Sequence, residues 1–252
     1  WHIECSAMRM KLLSKNFDLY LGGEDLIFPH HEDEIAQSEG ATGEHFVNHW
    51  LNGAHLLVEG KKMSKSLGNC FVLQDLLEKG FEGREIRQLM ISAHYRETFN
   101  FTLSGLEGAR KAMARIDECI SKLREAVGDN TAEPATEVIE KFTAALDDDL
   151  NVSSAWAVVF DWVRDCNRRL AENVMDSMTA AAELAAWERI DTVLGVGRRE
   201  EEAPSEFIVL MDERTEAREA KDFSRADAIR DELAEQGWTI EDTPKGPRLK
   251  RL

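Results

Sequence analysis

The chain has 252 residues, a net charge of −17, 43% hydrophobic and 31% charged residues, and four cysteines. That length can bury a sizeable core and form more than one domain, and no apolar run approaches the roughly 18–20 residues that cross a bilayer. The acidic balance argues against a general nucleic-acid coat, whose affinity comes from neutralising phosphates, so RNA would have to be met through local basic patches and specific contacts.

No basic-then-apolar leader opens the sequence, and scattered cysteines without a disulfide framework suit a reducing compartment. The expected location is the cytoplasm, with no membrane partner. The chain opens on Trp1 rather than Met, which suggests a fragment or processed piece.

Residues 2–14 carry apolar side chains at helical spacing, placing Cys5 on or beside a helix start. Phe17–Leu21 alternates and runs into Gly22-Gly23, as a parallel strand ending in a tight turn does. Pro29 is preset for a first helical turn, so a helix is predicted over about 29–38. Short strands are predicted at 50–51 and 55–58 around Gly53, and Gly60 turns the chain into a lysine-serine loop. Strand, helix, strand with candidate ligands just past the strand ends suits a doubly wound sheet. Two helices follow, near 73–79 and 84–94.

From Leu103 the pattern becomes purely helical. Leu106, Ala109, Met113, Ile116, Ile120, Leu123 and Val127 form one long amphipathic face. Three further stripes end at Leu146, Leu170 and Leu194, and together they predict a helical bundle without chemistry of its own. Residues 195–204 are glycine-rich, charged and aperiodic, as a linker is. Beyond it, helices are predicted over 205–220 and 224–236, the second capped by Asp222. A small hairpin should turn at Pro244-Lys245-Gly246.

Two stretches carry candidate chemistry. His30 and Glu34 lie one helical turn apart on a common face. With a thiolate from Cys5 they could grip a zinc-like ion and leave a position open. The alternative is an ordinary surface pair with Cys5 as a small core residue. Lys62-Met63-Ser64-Lys65-Ser66 sits between Gly60 and Gly68, where two ammonium groups could meet phosphate charge; the alternative is a solvated basic loop.

These stretches stand in order with Trp1-His2-Ile3-Glu4-Cys5-Ser6, Gly22-Gly23-Glu24-Asp25-Leu26-Ile27-Phe28-Pro29-His30-His31-Glu32, Ser92-Ala93-His94-Tyr95-Arg96, Asp147-Asp148-Asp149-Leu150-Asn151 and Glu241-Asp242-Thr243-Pro244-Lys245-Gly246. In that arrangement the sequence resembles the class I cysteinyl-tRNA synthetases from end to end.

The resemblance implies an α/β plus all-α fold: part of a Rossmann-like class I synthetase catalytic domain, a helical bundle, and a small mixed α/β anticodon-binding domain. Its divisions are 1–100 (catalytic half with zinc ligands and lysine-serine loop), 101–196 (helical connector) and 203–252 (anticodon-binding domain). It implies one Zn2+ on Cys5, His30 and Glu34 that binds the substrate thiolate, with Trp1 as a wall of the cysteine pocket. His31 should face away from the metal. ATP, with Mg2+, would lie against Gly23 and Asp25, and Lys62 and Lys65 would be catalytic, Lys65 carrying more of the role. Arg218, Phe223, Asp227 and Asp242 stand where the family contacts the anticodon, followed by Lys245, Arg248, Lys250 and Arg251 as a local positive patch.

The implied partners are tRNA(Cys), ATP and L-cysteine, and the implied state is a monomer. The family's His-x-Gly-His signature and a fourth zinc ligand are missing, so the chain alone is expected to be inactive. Two other readings stay open: a cysteine ligase with a small-molecule acceptor, as in mycothiol-pathway relatives, and a noncatalytic RNA-binding paralogue.

Overall fold

The computed structural model describes residues 1–198, 204–243 and 246–251. These fall into two compact units, Trp1–Gly197 and Arg198–Leu252. The first unit opens with α1 (His2–Leu12), β1 (Phe17–Gly23), α2 (Glu32–Thr42) and β2 (Val47–Gly53). β1 and β2 pair in parallel, with Tyr20 opposite Trp50 and Gly23 opposite Gly53. Tyr20, Phe46 and Val47 form the buried seam beneath them.

The expected helix start at Pro29 is corrected: regular helix begins at Glu32. Residues 27–31 make one irregular turn in which Phe28 is extended (φ −128°, ψ 132°). α2 then runs to Thr42, past the expected end near residue 38, and stops where Gly43 takes a left-handed conformation.

A second small sheet orders β4 (Lys61–Lys62), β3 (Leu56–Val58) and β5 (Phe99–Phe101), with β3 and β5 parallel. The sequence did not foretell β5. Its inward-facing Phe101 joins Val58, Leu76, Phe81, Leu89 and Leu106 in a core shared with α3 (Leu73–Glu78), α4 (Gly83–Met90) and α5 (Leu103–Val127). Each such side chain, fully buried, contributes about 1.5–3 kcal/mol. Side-chain ties reinforce the packing. Arg84 grips the Asp117 carboxylate with both contacts at 2.7 Å, and Arg110 reaches Glu85 at 3.0 Å.

The bundle comprises α5, α6 (Thr136–Asp147), α7 (Val152–Ala171) and α8 (Ser177–Leu194). Every residue of the predicted α5 stripe is buried, because a 3.6-residue period keeps one face toward the neighbouring helices. Thr102 starts α5 by accepting the Gly105 N–H at 2.9 Å. Inside the bundle, the buried Glu183 carboxylate receives Trp162 Nε1 at 2.8 Å and Arg169 at 2.7 Å. A buried charge survives only with such partners.

α4 ends at Met90, short of the expected His94, because residues 91–96 are taken up by the α6–α7 turn. Trp156 Nε1 donates to Ile91 O, and Ser153 Oγ to Ser92 O, both at 3.1 Å. The Tyr95 hydroxyl and Arg96 Nε donate to the two Asp149 oxygens at 2.7 and 2.6 Å. Arg96, then Tyr95, hold the Asp149 carboxyl at about 2, so it stays ionised at neutral pH. Asp149 and Leu150 are both left-handed, at φ 54° and 55°, a geometry costing about 1–3 kcal/mol each that persists only where neighbours enforce it.

The second unit contains α9 (Ser205–Glu219), α10 (Phe223–Glu235) and an antiparallel hairpin of β6 (Trp238–Thr243) and β7 (Gly246–Arg251). Ile229, Leu233 and Trp238 form its core, with Phe207 and Leu249 against them. Asp222 caps α10, accepting the Arg225 N–H at 3.1 Å. Lys245 lies outside the described residues, as do residues 199–203 of the expected linker.

Candidate metal site and nucleotide face

α1 and α2 pack side by side, and this packing brings the three candidate ligands together. The ligand atoms of Cys5, His30 and Glu34 all lie within 4.8 Å of one another. His30 is 3% exposed and Glu34 is fully buried. Ser6 stitches the helices, donating to Gln37 Oε1 at 3.0 Å.

The Glu34 carboxylate is aimed by two donors on one oxygen. Its Oε2 accepts the Tyr20 hydroxyl at 2.6 Å and Arg9 at 2.7 Å. Burial, and then this hydrogen bond to Glu34, push the Tyr20 hydroxyl well above its usual range, so it remains a donor. The Arg9 guanidinium also lies over the Tyr20 ring, 3.7 Å from its centre. Glu34 Oε1 has no hydrogen bond among the described residues and lies 3.5 Å from His30 Nε2. A buried carboxylate oxygen without a donor costs free energy unless something positive meets it.

His30 is oriented just as firmly. Its Nδ1 sits 2.6 Å from His2 Nδ1, and Trp1 stacks on its ring at 4.0 Å between centres and 11° between planes. His2 in turn lies 3.6 Å from Asp33. With Nδ1 engaged, Nε2 is the nitrogen left to face Glu34 and Cys5. A thiolate, an imidazole and a carboxylate whose free oxygen points at the others form a donor set that fits zinc. Trp1 itself is 63% exposed.

His31 takes no part in the cluster. It is buried against the stacked pair of Tyr20 and Trp50, at 4.9 and 5.0 Å between ring centres. Burial lowers its pKa below the usual value, and its ring nitrogens have no partner among the described residues. The ring lies against Gly22, where a Cβ would come within 2.6 Å of it, so only glycine fits that strand end.

Gly23 ends β1 beside Gly53 of β2, a bare backbone surface at the carboxyl ends of two parallel strands, the side on which open α/β sheets take ligands. Asp25 is exposed in the turn that follows, its carboxylate folded back over Gly23. Lys62 is exposed at the end of β4, and the backbone of Lys65 opens a short turn over 65–67. The Lys65 side chain lies outside those described.

Arg218 lies in the last turn of α9 and is exposed; Phe223 opens α10 at 63% exposure, and Asp227 follows one turn on. Asp227 touches Arg230 at 3.3 Å, a surface pair worth little. Asp242 lies in β6 opposite Pro247, and its side chain is outside those described.

Sequence reasoning assigned no role to His2, Arg9 or Tyr20, which hold the candidate ligands. Arg9 offered one signal, standing a helical turn beyond Cys5 on the same face. Tyr20 offered none, since an aromatic in an alternating strand is ordinary core.

Three family models match in chain order: tRNA synthetases class I (C) catalytic domain over residues 1–111, DALR domain over 141–196, and cysteinyl-tRNA ligase anticodon binding domain over 201–247. The cysteine–tRNA ligase of Protochlamydia amoebophila is 41% identical over 258 residues, covering 100% of this chain and 54% of that protein. The Chlamydia felis cysteine–tRNA ligase is also 41% identical, over 260 residues, 100% of this chain and 55% of that one. The chain thus spans about half the length of the curated relatives it matches. A solved Agrobacterium radiobacter LeuRS, in a ternary complex with tRNA and LeuAMS, superposes with a TM-score of 0.58 at 18% identity. It covers 69% of this chain and 25% of that one, and shares the fold.

Proposed function

From a chain that belongs to the cysteine–tRNA ligases of class I and matches the C-terminal half of its relatives, we propose that the complete protein charges tRNA(Cys) with L-cysteine. The cysteine carboxylate attacks the α-phosphorus of ATP, bound with Mg2+; the bond to the bridging oxygen breaks and pyrophosphate leaves. The 3′-terminal hydroxyl of tRNA then takes the cysteinyl group from the adenylate, releasing AMP.

The observation that carries the reading is the Cys5–His30–Glu34 cluster with its one undonated buried oxygen, set beside the glycine-lined strand ends. Cys5, His30 and Glu34 would hold zinc, which when bound supplies a soft Lewis-acid position that accepts a thiolate far better than a serine hydroxyl. Tyr20 and Arg9 aim the Glu34 carboxylate, and Trp1, stacked on His30, walls the thiol side. Gly23 lets backbone approach the nucleotide, and Asp25 would hold ribose hydroxyls. Lys62 and Lys65 neutralise charge growing on the leaving pyrophosphate.

The test is cysteine-dependent pyrophosphate exchange. Full-length protein should exchange with cysteine and far less with serine; equal rates with both would end the proposal. The 252-residue polypeptide alone, lacking a His-x-Gly-His signature, should show none.

The second unit supports tRNA reading through Phe223, an exposed aromatic at the start of α10, close in sequence to Arg218 and one turn before Asp227. An open ring stacks on a base splayed from a loop, worth about 1–3 kcal/mol. Phe223→Ala in the full-length protein should weaken cognate tRNA binding roughly tenfold or more. Asp227→Ala should relax discrimination among anticodons more than it weakens binding. Wild-type protein that binds cognate and anticodon-swapped tRNA equally would leave this unit a basic docking surface. No described helix is long and apolar enough to cross a membrane; a cytoplasmic, monomeric enzyme is what the synthetase reading implies. The alternative with a small-molecule acceptor is disfavoured by the match through residue 247, and the one without catalysis by the three candidate ligands lying together.

A further inference from the structure

The lysine-serine loop is bounded by left-handed residues on both sides. Glu59 and Gly60 have φ of 51° and 73° before it, and Gly68 has φ 64° after it. Glycine at both ends gives this backbone more freedom than other residues would, so where its lysines stand depends on what ties the segment down. One side chain reaches across it. Asn69 Oδ1 accepts the Ser64 N–H at 2.9 Å, while its Nδ2 donates to Lys62 O at 3.2 Å and Val58 O at 3.3 Å.

The three partners differ in kind. Val58 is fully buried in β3 within the core of α3, α4 and α5, and does not move with the loop. Lys62 and Ser64 lie in the loop itself, either side of Met63. A carboxamide carries donor and acceptor on one rigid plane, so Asn69 can bind a loop N–H, a loop carbonyl and a core carbonyl at once. Ser64 and Ser66 hydroxyls, 2.7 Å apart, close the turn that starts at Lys65.

We propose that Asn69 is a positioning residue for the reaction: its side chain latches the Lys62–Ser66 loop to the fixed end of β3 and so places the two lysines for the transition state. This rests on the synthetase reading for its consequence in the reaction, and on hydrogen bonds alone for the latch. Aspartate keeps the size and the bond from Ser64 but leaves the Lys62 and Val58 carbonyls without their donor. Alanine removes all three bonds.

The experiment uses full-length protein with Asn69→Ala and Asn69→Asp and has two arms. Trypsin nicking after Lys61, Lys62 and Lys65 reads the latch without reference to activity; single-turnover cysteinyl-adenylate formation at saturating ATP and cysteine reads its consequence. Both variants should be nicked in the loop several-fold faster, with cleavage elsewhere unchanged. The adenylate rate should fall roughly ten- to hundredfold, the usual cost of a catalytic group displaced by about 1 Å, with KM for cysteine unchanged. Loop nicking at the wild-type rate in both variants would overturn the latch. Faster nicking everywhere, with a lowered melting temperature, would make Asn69 merely structural and overturn it too. Faster loop nicking with an unchanged adenylate rate would refute the positioning role. A wild-type protein without exchange would sink the synthetase reading and leave the nicking arm decisive for the latch.

Discussion

The 252-residue chain purified without chelators should carry zinc, weakly because the fourth ligand is absent, and His30→Ala should remove it, as metal analysis and zinc titration would measure. The effect should be close to total because each candidate ligand is held by a different part of the fold. His30 is held by His2 and Trp1, Glu34 by Tyr20 and Arg9, and Cys5 by the face of α1. Removing the imidazole leaves a thiolate and one carboxylate oxygen, too few donors for a closed or half-open zinc shell. Loss of an outer partner should be graded instead. Tyr20→Phe frees the carboxylate to turn, and His2→Ala loosens the His30 ring, each weakening affinity about 10–100-fold. The two kinds of variant separate ligands from the residues that orient them. Full-length protein that neither carries nor takes up zinc would end the metal reading. Glu34 would then be a buried carboxylate stabilised by Arg9 and Tyr20 alone.

The parts of this chain that could be read in advance are those whose information is local. The α5 stripe from Leu106 to Val127 needs only a helical period, and all of its predicted residues are buried. Asp222 as a cap needs only its position before an apolar-periodic run, and the β6–β7 pairing needs only two short strand-prone runs close in sequence. What escaped is long-range. β5 is three residues of Phe99-Asn100-Phe101 that become a strand because Leu56–Val58 lies alongside. α4 stops at Met90 because Asp149, more than fifty residues on, claims Tyr95 and Arg96.

The same divide runs through the candidate site. Cys5, His30 and Glu34 stood out as chemistry-bearing residues, and Gly22-Gly23 as a strand-ending turn. The spacing alone left open whether Cys5 faces the pair, since that depends on how α1 packs on α2. Tyr20 and Arg9 carried no distinguishing pattern because their role exists only once a strand, α1 and α2 meet at one carboxylate. His31 shows the converse. Sequence placed it next to a candidate ligand, and the fold makes it the buried filler that demands glycine at position 22.

Lys65→Ala in the complete enzyme should slow cysteinyl-adenylate formation by roughly 10²–10³, about 2.7–4 kcal/mol of lost transition-state stabilisation. When the carboxylate attacks and the α–β bridge breaks, negative charge moves onto a pyrophosphate that had shared it with the α-phosphate. An ammonium held nearby stabilises that later arrangement more than the ground state, and only such a difference lowers the barrier. Lys65 opens the short turn that Ser64 and Ser66 close, in a loop tied back to β3. Lys62 stands at the end of β4 and is exposed, where solvent screens its charge, and by the family resemblance, which gives Lys65 the larger role, Lys62→Ala should cost less. The division between rate and binding is the sharper measurement. If Lys65 acts in the transition state, the single-turnover rate falls while KM for ATP changes little; a raised KM with an unchanged rate marks ground-state phosphate binding instead. Lys65→Arg keeps the charge on a bulkier head and should recover part of the rate. A Lys65→Ala enzyme that forms adenylate as fast as the wild type would reduce the loop to a structural element.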